Sequence, residues 1–414
     1  MKKKIYSCED NFDPNAITVE SAIKHIAKNI PKKNIETIPL KNAHGYILAE
    51  NIKSNINVPN SNNSAMDGYA MKFSSLNKNT IFKVIGKSYA GKPFNRNIGK
   101  NECIKIMTGA VVPKACDVVI MKENIIMTKR NEIKVSDKKT KRYKNIRFAG
   151  EDIKKGKTLI KKGIEIDSAT MGVISSIGLK KVKIFKKPVV SFFTTGDEII
   201  SKGKIKKGQV FDSNRFSLIG LLEKHNIKYI DLGHSNDKKE SIRRKFSSGI
   251  KKSDIIVSCG GVSVGDADYI KDVANEIGKI NFWKVAMKPG RPLTFGKINK
   301  KIFFGLPGNP VSVMVTFLIF VLPAIYKYSN KNYYFNLSEA KLENNIRKNK
   351  GRTEFQRGYY SRLGGNFKVK STGEQGSGIL TSMMNANCFI YLPSEQGNLK
   401  KGSSVKILLF DNLL

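Results

Sequence analysis

Three short stretches of the chain combine glycine with residues that hold phosphate or metal. Thr194-Thr195-Gly196-Asp197-Glu198, Cys259-Gly260-Gly261-Val262-Ser263-Val264-Gly265-Asp266-Ala267-Asp268-Tyr269 and Gly305-Leu306-Pro307-Gly308-Asn309-Pro310 each follow a short apolar, β-rich run. A glycine pair after a strand lets backbone N–H groups approach a phosphate, and a helix starting there adds its positive dipole end. One such loop, taken singly, is as readily an ordinary tight turn. Three at consecutive strand ends describe a pocket for an extended ligand carrying phosphate groups.

Acidic residues punctuate the same loop ends: Glu198, Asp237 and Asp268. A carboxylate beginning a helix is commonly only an N-cap, and that reading stays open for Asp237 and Asp268. Where phosphate-binding loops converge, several carboxylates would instead hold Mg²⁺, a hard cation that prefers oxygen ligands and keeps waters. The basic counterpart runs from Trp283 to Pro292, where Lys284, Lys288 and Arg291 suit a phosphate or a tetrahedral oxyanion. Surface lysines are the ordinary alternative in so basic a chain. Against it stand the spacing of four and the rigid Pro289-Gly290-Arg291-Pro292 turn. His25, His44, His225 and His234 lie near neither a Ser-x-Gly elbow nor one another, so a zinc hydrolase and a Ser-His triad are unsupported. The chemistry rests on carboxylates, lysines and a metal.

These groups need a scaffold. The chain has 414 residues, 40% hydrophobic and 9% aromatic, enough to bury sizeable cores in two to four domains of roughly 100 to 200 residues each. Ile17, Ala22, Ile23, Ile26 and Ile30 recur at helical spacing before Pro31, which predicts an opening helix. From about Pro59 to Gly150, short apolar runs (Ile81 to Ile85, Cys103 to Met107, Val118 to Met121) separated by turn residues read as a small β domain. The basic stretch Lys138 to Lys144 closes it as a solvated loop. Glu151 to Lys187 reads as a connecting segment with a helix over Ala169 to Ile177. From Pro188 to about Tyr328, runs at Val189 to Phe193, Lys228 to Asp231, Ile255 to Ser258 and Ile302 to Phe304 alternate with helical patterns at Phe216 to His225 and Lys239 to Phe246. That alternation predicts an α/β unit with a mostly parallel sheet, whose ligands bind outside the carboxyl ends of the strands. Turn-rich strands return after Asn330 and continue through Leu409. An α/β multidomain protein is expected: 1–55 with 150–187 as a discontinuous N-terminal and connecting domain, 56–149 as a small β domain, 188–328 as the α/β domain and 335–414 as a C-terminal β domain.

Lys and Arg number 74 against 34 Asp and Glu, a formal charge of +40, which would attract any polyanion at low ionic strength. The basic residues are mostly lysines scattered among Asn and Ile, a pattern of compositional drift rather than a clustered nucleic-acid footprint. No specific nucleic acid is expected. Cys8, Cys103, Cys116, Cys259 and Cys388 include no Cys-x-x-Cys pair, so neither a disulfide framework nor a cysteine zinc site is expected. The N-terminus reaches Glu9-Asp10 before an apolar signal segment can form, and the run Val311 to Ile325 is interrupted by Ser312, Thr316 and Pro323. A cytoplasmic protein that does not enter the membrane is expected.

Taken together, the motifs resemble those of the MoeA family, the bacterial molybdopterin molybdenumtransferases related to the E domains of gephyrin. The resemblance covers nearly the whole chain: Asn63 to Ala70, Ile106 to Ala110, Arg147 with Gly150 to Ile153, Thr194 to Glu198, Asp212 to Asn214, Gly260 to Gly265, Leu306 to Ser312, Glu354 to Gly358 and Gln375 to Ser377. Departures are few. Pro59-Asn60-Ser61-Asn62-Asn63 lacks the usual Phe-Asp, Pro113 to Asp117 replaces small residues, and Arg291 stands where Lys is common.

The resemblance implies a MogA-like central α/β domain and a transferase of molybdenum cofactor biosynthesis. Adenylylated molybdopterin and molybdate enter, the metal is placed on the dithiolene, and AMP leaves with help from Mg²⁺. It implies a catalytic set of Asp67, Asp152, Glu198, Asp237, Asp268, Lys284 and Lys288, with Glu198, Asp237 and Asp268 on the metal. The ligand-binding set is Thr108, Arg147, Thr195, Gly196, Ser213, Asn214, Gly260, Gly261, Ser263, Gly265, Pro289, Gly290, Arg291, Pro307, Gly308, Asn309, Ser312, Arg357 and Ser377. An elongated homodimer is implied, in which Asp67, Thr108, Arg147 and Asp152 complete the other subunit's site. A molybdopterin adenylyltransferase would be a natural partner. Two other classes compete. A sister adenylyltransferase is usually a single domain, against which the extra β domains stand, and a molybdopterin-binding scaffold would give the +40 charge a polyanionic partner.

Overall fold

The computed structural model describes residues 13, 15–31, 34–76, 78–136, 139–260, 269–282, 284–333, 335–363, 365–411 and 413–414. The chain divides into two compact units, one formed by 35–184 and the other by 1–34 with 185–414.

The 35–184 unit has two hydrophobic centres. One gathers Leu40, Leu48, Ile52, Ile153, Ile166, Ile174, Val182 and Ile184, around a three-stranded sheet ordered Ile35–Pro39, Lys181–Phe185, Ile47–Leu48. The expected connecting helix is present as Ser168–Ser176, started by Asp167, whose side chain accepts from the Thr170 N–H at 2.7 Å. The other centre is a six-stranded sheet in the order Val118–Met121, Gly68–Met71, Glu102–Ile106, Ile81–Ser88, Glu132–Val135, Ile125–Lys129. Period-two alternation sends Cys103 to one face with Tyr69, Phe82 and Val118, and Ile104 to the other with Ala70, Ile106 and Val119.

The second unit contains a six-stranded α/β sheet ordered Tyr229–Ser235, Val190–Thr195, Ile255–Cys259, Lys301–Leu306, Thr294–Ile298, Gly278–Phe282. The first four strands run parallel. Thr294–Ile298 and Gly278–Phe282 then extend the sheet antiparallel, two strands the apolar patterning did not single out. Val190–Thr195 and Ile255–Cys259 are buried along their whole length, as central parallel strands covered on both faces must be. Helix Lys239–Lys252 covers one face with Ile242 and Phe246 beside Phe193 and Phe303.

The opening helix Val19–Asn29 begins at Thr18, whose hydroxyl accepts from the Ser21 N–H at 3.1 Å. It was expected with 1–55 and 150–187. Its buried face, Val19, Ala22 and Ile26, joins the core of the α/β sheet instead, and an isolated bridge from Ile17 to Val285 anchors the chain just before it. Ser312, Thr316 and Pro323 interrupt the apolar run in sequence but do not break the helix that carries it. Pro310–Tyr328 is one 19-residue helix, long and apolar enough to cross a bilayer by composition, and its side chains are buried in this core. Thr316 bonds back to the Ser312 carbonyl at 2.7 Å, and a π-helical turn at Phe317–Val321 precedes Pro323.

Five further strands close a C-terminal barrel, because the long strand Thr353–Leu363 pairs with Asn366–Ser371 on one side and Cys388–Leu392 on the other. Leu337–Leu342 and Ser404–Leu409 complete it. Met287–Lys288 lies parallel to Thr353-Glu354 and ties the α/β sheet's loops to the barrel.

Candidate functional site

The carboxyl ends of the parallel strands open into a cleft of about 1410 Å³, walled on its far side by barrel loops. Each wall has a local cause. Val190–Thr195 ends at Gly196, where φ is +140° and an added Cβ would fall 2.6 Å from a Glu198 carboxylate oxygen, so the acid lies over the strand end. Ile255–Cys259 ends at Gly260, where φ is +95° and a Cβ would fall 2.5 Å from the Thr195 carbonyl oxygen. Asp212 starts helix Ser213–Lys224 by accepting from the Arg215 N–H at 3.1 Å, and the Thr194 hydroxyl donates to it at 2.6 Å. On that first turn Asn214 donates to the Gly308 carbonyl at 2.7 Å, which clamps the Pro307 to Pro310 loop. Asn309 donates to the Ser377 hydroxyl at 2.8 Å, and the Val311 N–H donates to the Ser377 carbonyl at 3.1 Å, which brings the barrel loop to the same place.

Of the expected residues, Thr195, Gly196, Glu198, Ser213, Asn214, Asp237, Gly260, Lys288, Pro289, Gly290, Arg291, Pro307, Gly308, Asn309, Ser312 and Ser377 line this cleft. Gly261, Ser263, Gly265 and Asp268 lie outside the described residues. Two buried polar atoms in the wall, Thr195 Oγ1 and Asn214 Oδ1, have no partner among the described residues, and a buried polar atom without a partner costs free energy unless something satisfies it.

Two of the expected cations stand differently. Lys284 is not among the lining residues. Its ammonium donates to Asp13 Oδ2 at 3.1 Å, and Arg291 Nη2 donates to the same oxygen at 2.7 Å. Burial raises the Asp13 pKa, but the Asn15 N–H, Arg291 and Lys284 together outweigh it and hold the carboxyl at about 2. Arg357, expected to touch an oxyanion, is fully buried. It donates to the Ser382 hydroxyl at 2.9 Å and the Gly376 carbonyl at 2.9 Å, and burial pulls its pKa down to about 10. Barrel closure carries its strand inward, so Arg357 supports the wall from behind. Beside Arg291, the cleft is lined by Lys288, which is exposed, and by Arg352, which the patterning did not single out.

The acids share a field. Burial raises the Asp237 pKa and the negative charges of Asp197 and Glu198 raise it further. Burial lowers that of His234, although Asp212, Asp237 and Glu198 act the other way. Among the described residues no three His, Cys, Asp or Glu side chains gather closely enough to hold a metal by themselves. Two carboxylates with a phosphate ligand and water suit Mg²⁺, which rarely takes an all-protein cage. Cys103, Cys116 and Cys388 are free, buried thiols raised to about 12 by burial, and burial raises Cys259 as well. None is poised as a nucleophile.

In the 35–184 unit, Asp67 Oδ1 accepts from the Thr108 N–H at 2.8 Å and its hydroxyl at 2.9 Å, which lowers the Asp67 pKa. Arg147 pairs across strands with Asn63, which lies four residues before Asp67 and has a buried Oδ1 without a partner among the described residues. The Asp152 N–H donates to the Val58 carbonyl at 3.1 Å.

Comparison with known proteins decides the family. The MoeA N-terminal region (domain I and II) matches residues 17–178, the probable molybdopterin binding domain matches 191–327, and the MoeA C-terminal region (domain IV) matches 339–410. A molybdopterin molybdenumtransferase of Haemophilus influenzae is 39% identical over 96% of this chain and 100% of its own. The chain belongs to the MoeA family. A MoeA protein from Pyrococcus horikoshii has the same fold, with a TM-score of 0.82 at 29% identity over 96% of this chain and 99% of that one. A gephyrin of Dictyostelium discoideum is 34% identical over 95% of this chain and 62% of its own length. Within the MoeA architecture, the cleft falls where the probable molybdopterin binding domain meets the C-terminal region.

Proposed function

We propose that the chain takes molybdate and adenylylated molybdopterin, places molybdenum on the dithiolene and releases AMP. The observation that carries this reading is one cleft holding a phosphate cradle, two carboxylates and an exposed lysine, at the strand ends where α/β sheets bind ligands. The Thr195 hydroxyl and Asn214 Oδ1 find their partners in the bound nucleotide end, while Gly260 and Gly308 let backbone approach the phosphates. Lys288, Ser312 and Ser377 hold the molybdate oxyanion, a cation for charge and hydroxyls for hydrogen bonds. Glu198 and Asp237, with Asp268 as a third, would hold Mg²⁺, which when bound offsets negative charge developing at the anhydride. Asp67, Thr108, Arg147 and Asp152 complete the partner's site in a homodimer. Acting in the cytoplasm, the enzyme would receive its nucleotide substrate from an adenylyltransferase, an activity the chain itself is not assigned because its β regions match MoeA's own.

Molybdate titration of the Lys288→Met variant tests the subsite. Half-saturation should rise by about tenfold or more, the worth of one charge-assisted contact, with binding of the adenylylated pterin intact. Equal loss of both would show that the two ligands share Lys288 and that the division is wrong.

A further inference from the structure

Asp13 is a buried charge that the proposed chemistry does not use. Its side chain is 1% exposed, and both oxygens are engaged, Oδ1 by the Asn15 N–H at 2.9 Å and Oδ2 by Lys284 and Arg291. Those cations stand on the two stems of a loop that closes on itself through the Val285 N–H and the Arg291 carbonyl, 2.9 Å apart. Lys288 is between the stems, in the cleft. The Ile17 N–H donates to the Lys284 carbonyl at 3.2 Å and the Ala286 N–H to the Ile17 carbonyl at 2.7 Å, so the N-terminal segment lies along one stem. On the other side, the Thr353 N–H donates to the Ala286 carbonyl at 3.0 Å.

Two cations fixed on adjacent stems repel one another, and partial burial weakens the screening of that repulsion. A carboxylate between them turns that repulsion into a staple. We propose that Asp13 is a positioning residue for the oxyanion subsite: it staples the Lys284 and Arg291 stems so that Lys288 is presented to the cleft. This rests on the oxyanion role assigned to Lys288 above.

The test is calorimetric titration of the purified full chain with molybdate alone, for wild type, Asp13→Asn and Asp13→Glu, alongside AMP release. Asp13→Asn should weaken molybdate binding by about tenfold, raise the molybdate needed for half-maximal AMP release in parallel, and leave the rate at saturating molybdate within about twofold. Asp13→Glu, which keeps the charge, should recover part of the loss. Thermal melting supplies a reading free of turnover: Lys284→Met should lower stability in the wild type and have little effect once Asp13 is Asn. Unchanged or tighter molybdate binding by Asp13→Asn would overturn the proposal, tighter binding meaning that the carboxylate competes with the anion. Additive melting shifts, or a wild type that binds no molybdate, would overturn it too. A wild type that binds molybdate yet releases no AMP would leave the staple standing and refute the reaction.

Discussion

Asp237 is held in conflict between folding and function. Burial and the charges of Asp197 and Glu198 raise its pKa in the folded chain. A raised carboxyl binds its proton more tightly in the folded state, so its contribution to stability is present at low pH and lost as pH rises through the folded value. At neutral pH the ionised group is a strain on the fold. Asp237→Asn should therefore melt at a higher temperature at pH 7, yet release AMP at least about tenfold more slowly, roughly 1.4 kcal/mol of barrier. A variant that melts lower, or keeps its rate, would remove Asp237 from the proposed metal site. The same competition with protons predicts that Mg²⁺ dependence steepens on acidification at a higher pH than an ordinary aspartate would give. Arg357 makes the opposite case. Replacing it by Ala removes its hydrogen bonds to the Ser382 hydroxyl and the Gly376 carbonyl and leaves a cavity, which should cost about 3 kcal/mol in denaturant unfolding. If stability were unchanged and only molybdate binding lost, Arg357 would be a direct ligand after all.

At the scale of elements, strand ends do the positioning, and this is also where the sequence is most readable. Thr194 to Glu198, the glycines beginning at Gly260 and Leu306 to Pro310 announce themselves because a turn, a close backbone approach and a helix start each demand particular residues within a few positions. Gly260 shows the demand directly, with positive φ and a Cβ that would strike the Thr195 carbonyl. Gly260→Val should part the two strand ends and lower affinity for the adenylylated pterin by about tenfold or more, while molybdate binding survives. Loss of both together would mean that the cleft is one undivided site. Asp13 could not be read this way. Its partners lie 271 and 278 residues along the chain, and no local pattern records a pairing over that distance. Arg357 was legible as a site word, while its hydrogen bonds to Ser382 and Gly376 depend on closure of the barrel. The antiparallel pair Gly278–Phe282 and Thr294–Ile298 escaped notice because its apolar residues are broken by Lys, Asn and Gly.

At the scale of the molecule, the assignment of the opening helix to the same unit as 185–414 goes with the Ile17 to Val285 pairing, which only tertiary structure reveals. The +40 charge acts on encounter rather than recognition, since both substrates are anions and scattered lysines raise their local concentration without choosing between them. Choice belongs to the cleft. The most direct test of that claim is to mix the purified protein with adenylylated molybdopterin and Mg²⁺, with and without molybdate, and to follow AMP together with transfer of active cofactor to a cofactor-free molybdenum enzyme. The account predicts AMP release that rises with molybdate and matches the cofactor formed; AMP release indifferent to molybdate, or none at all, would contradict it.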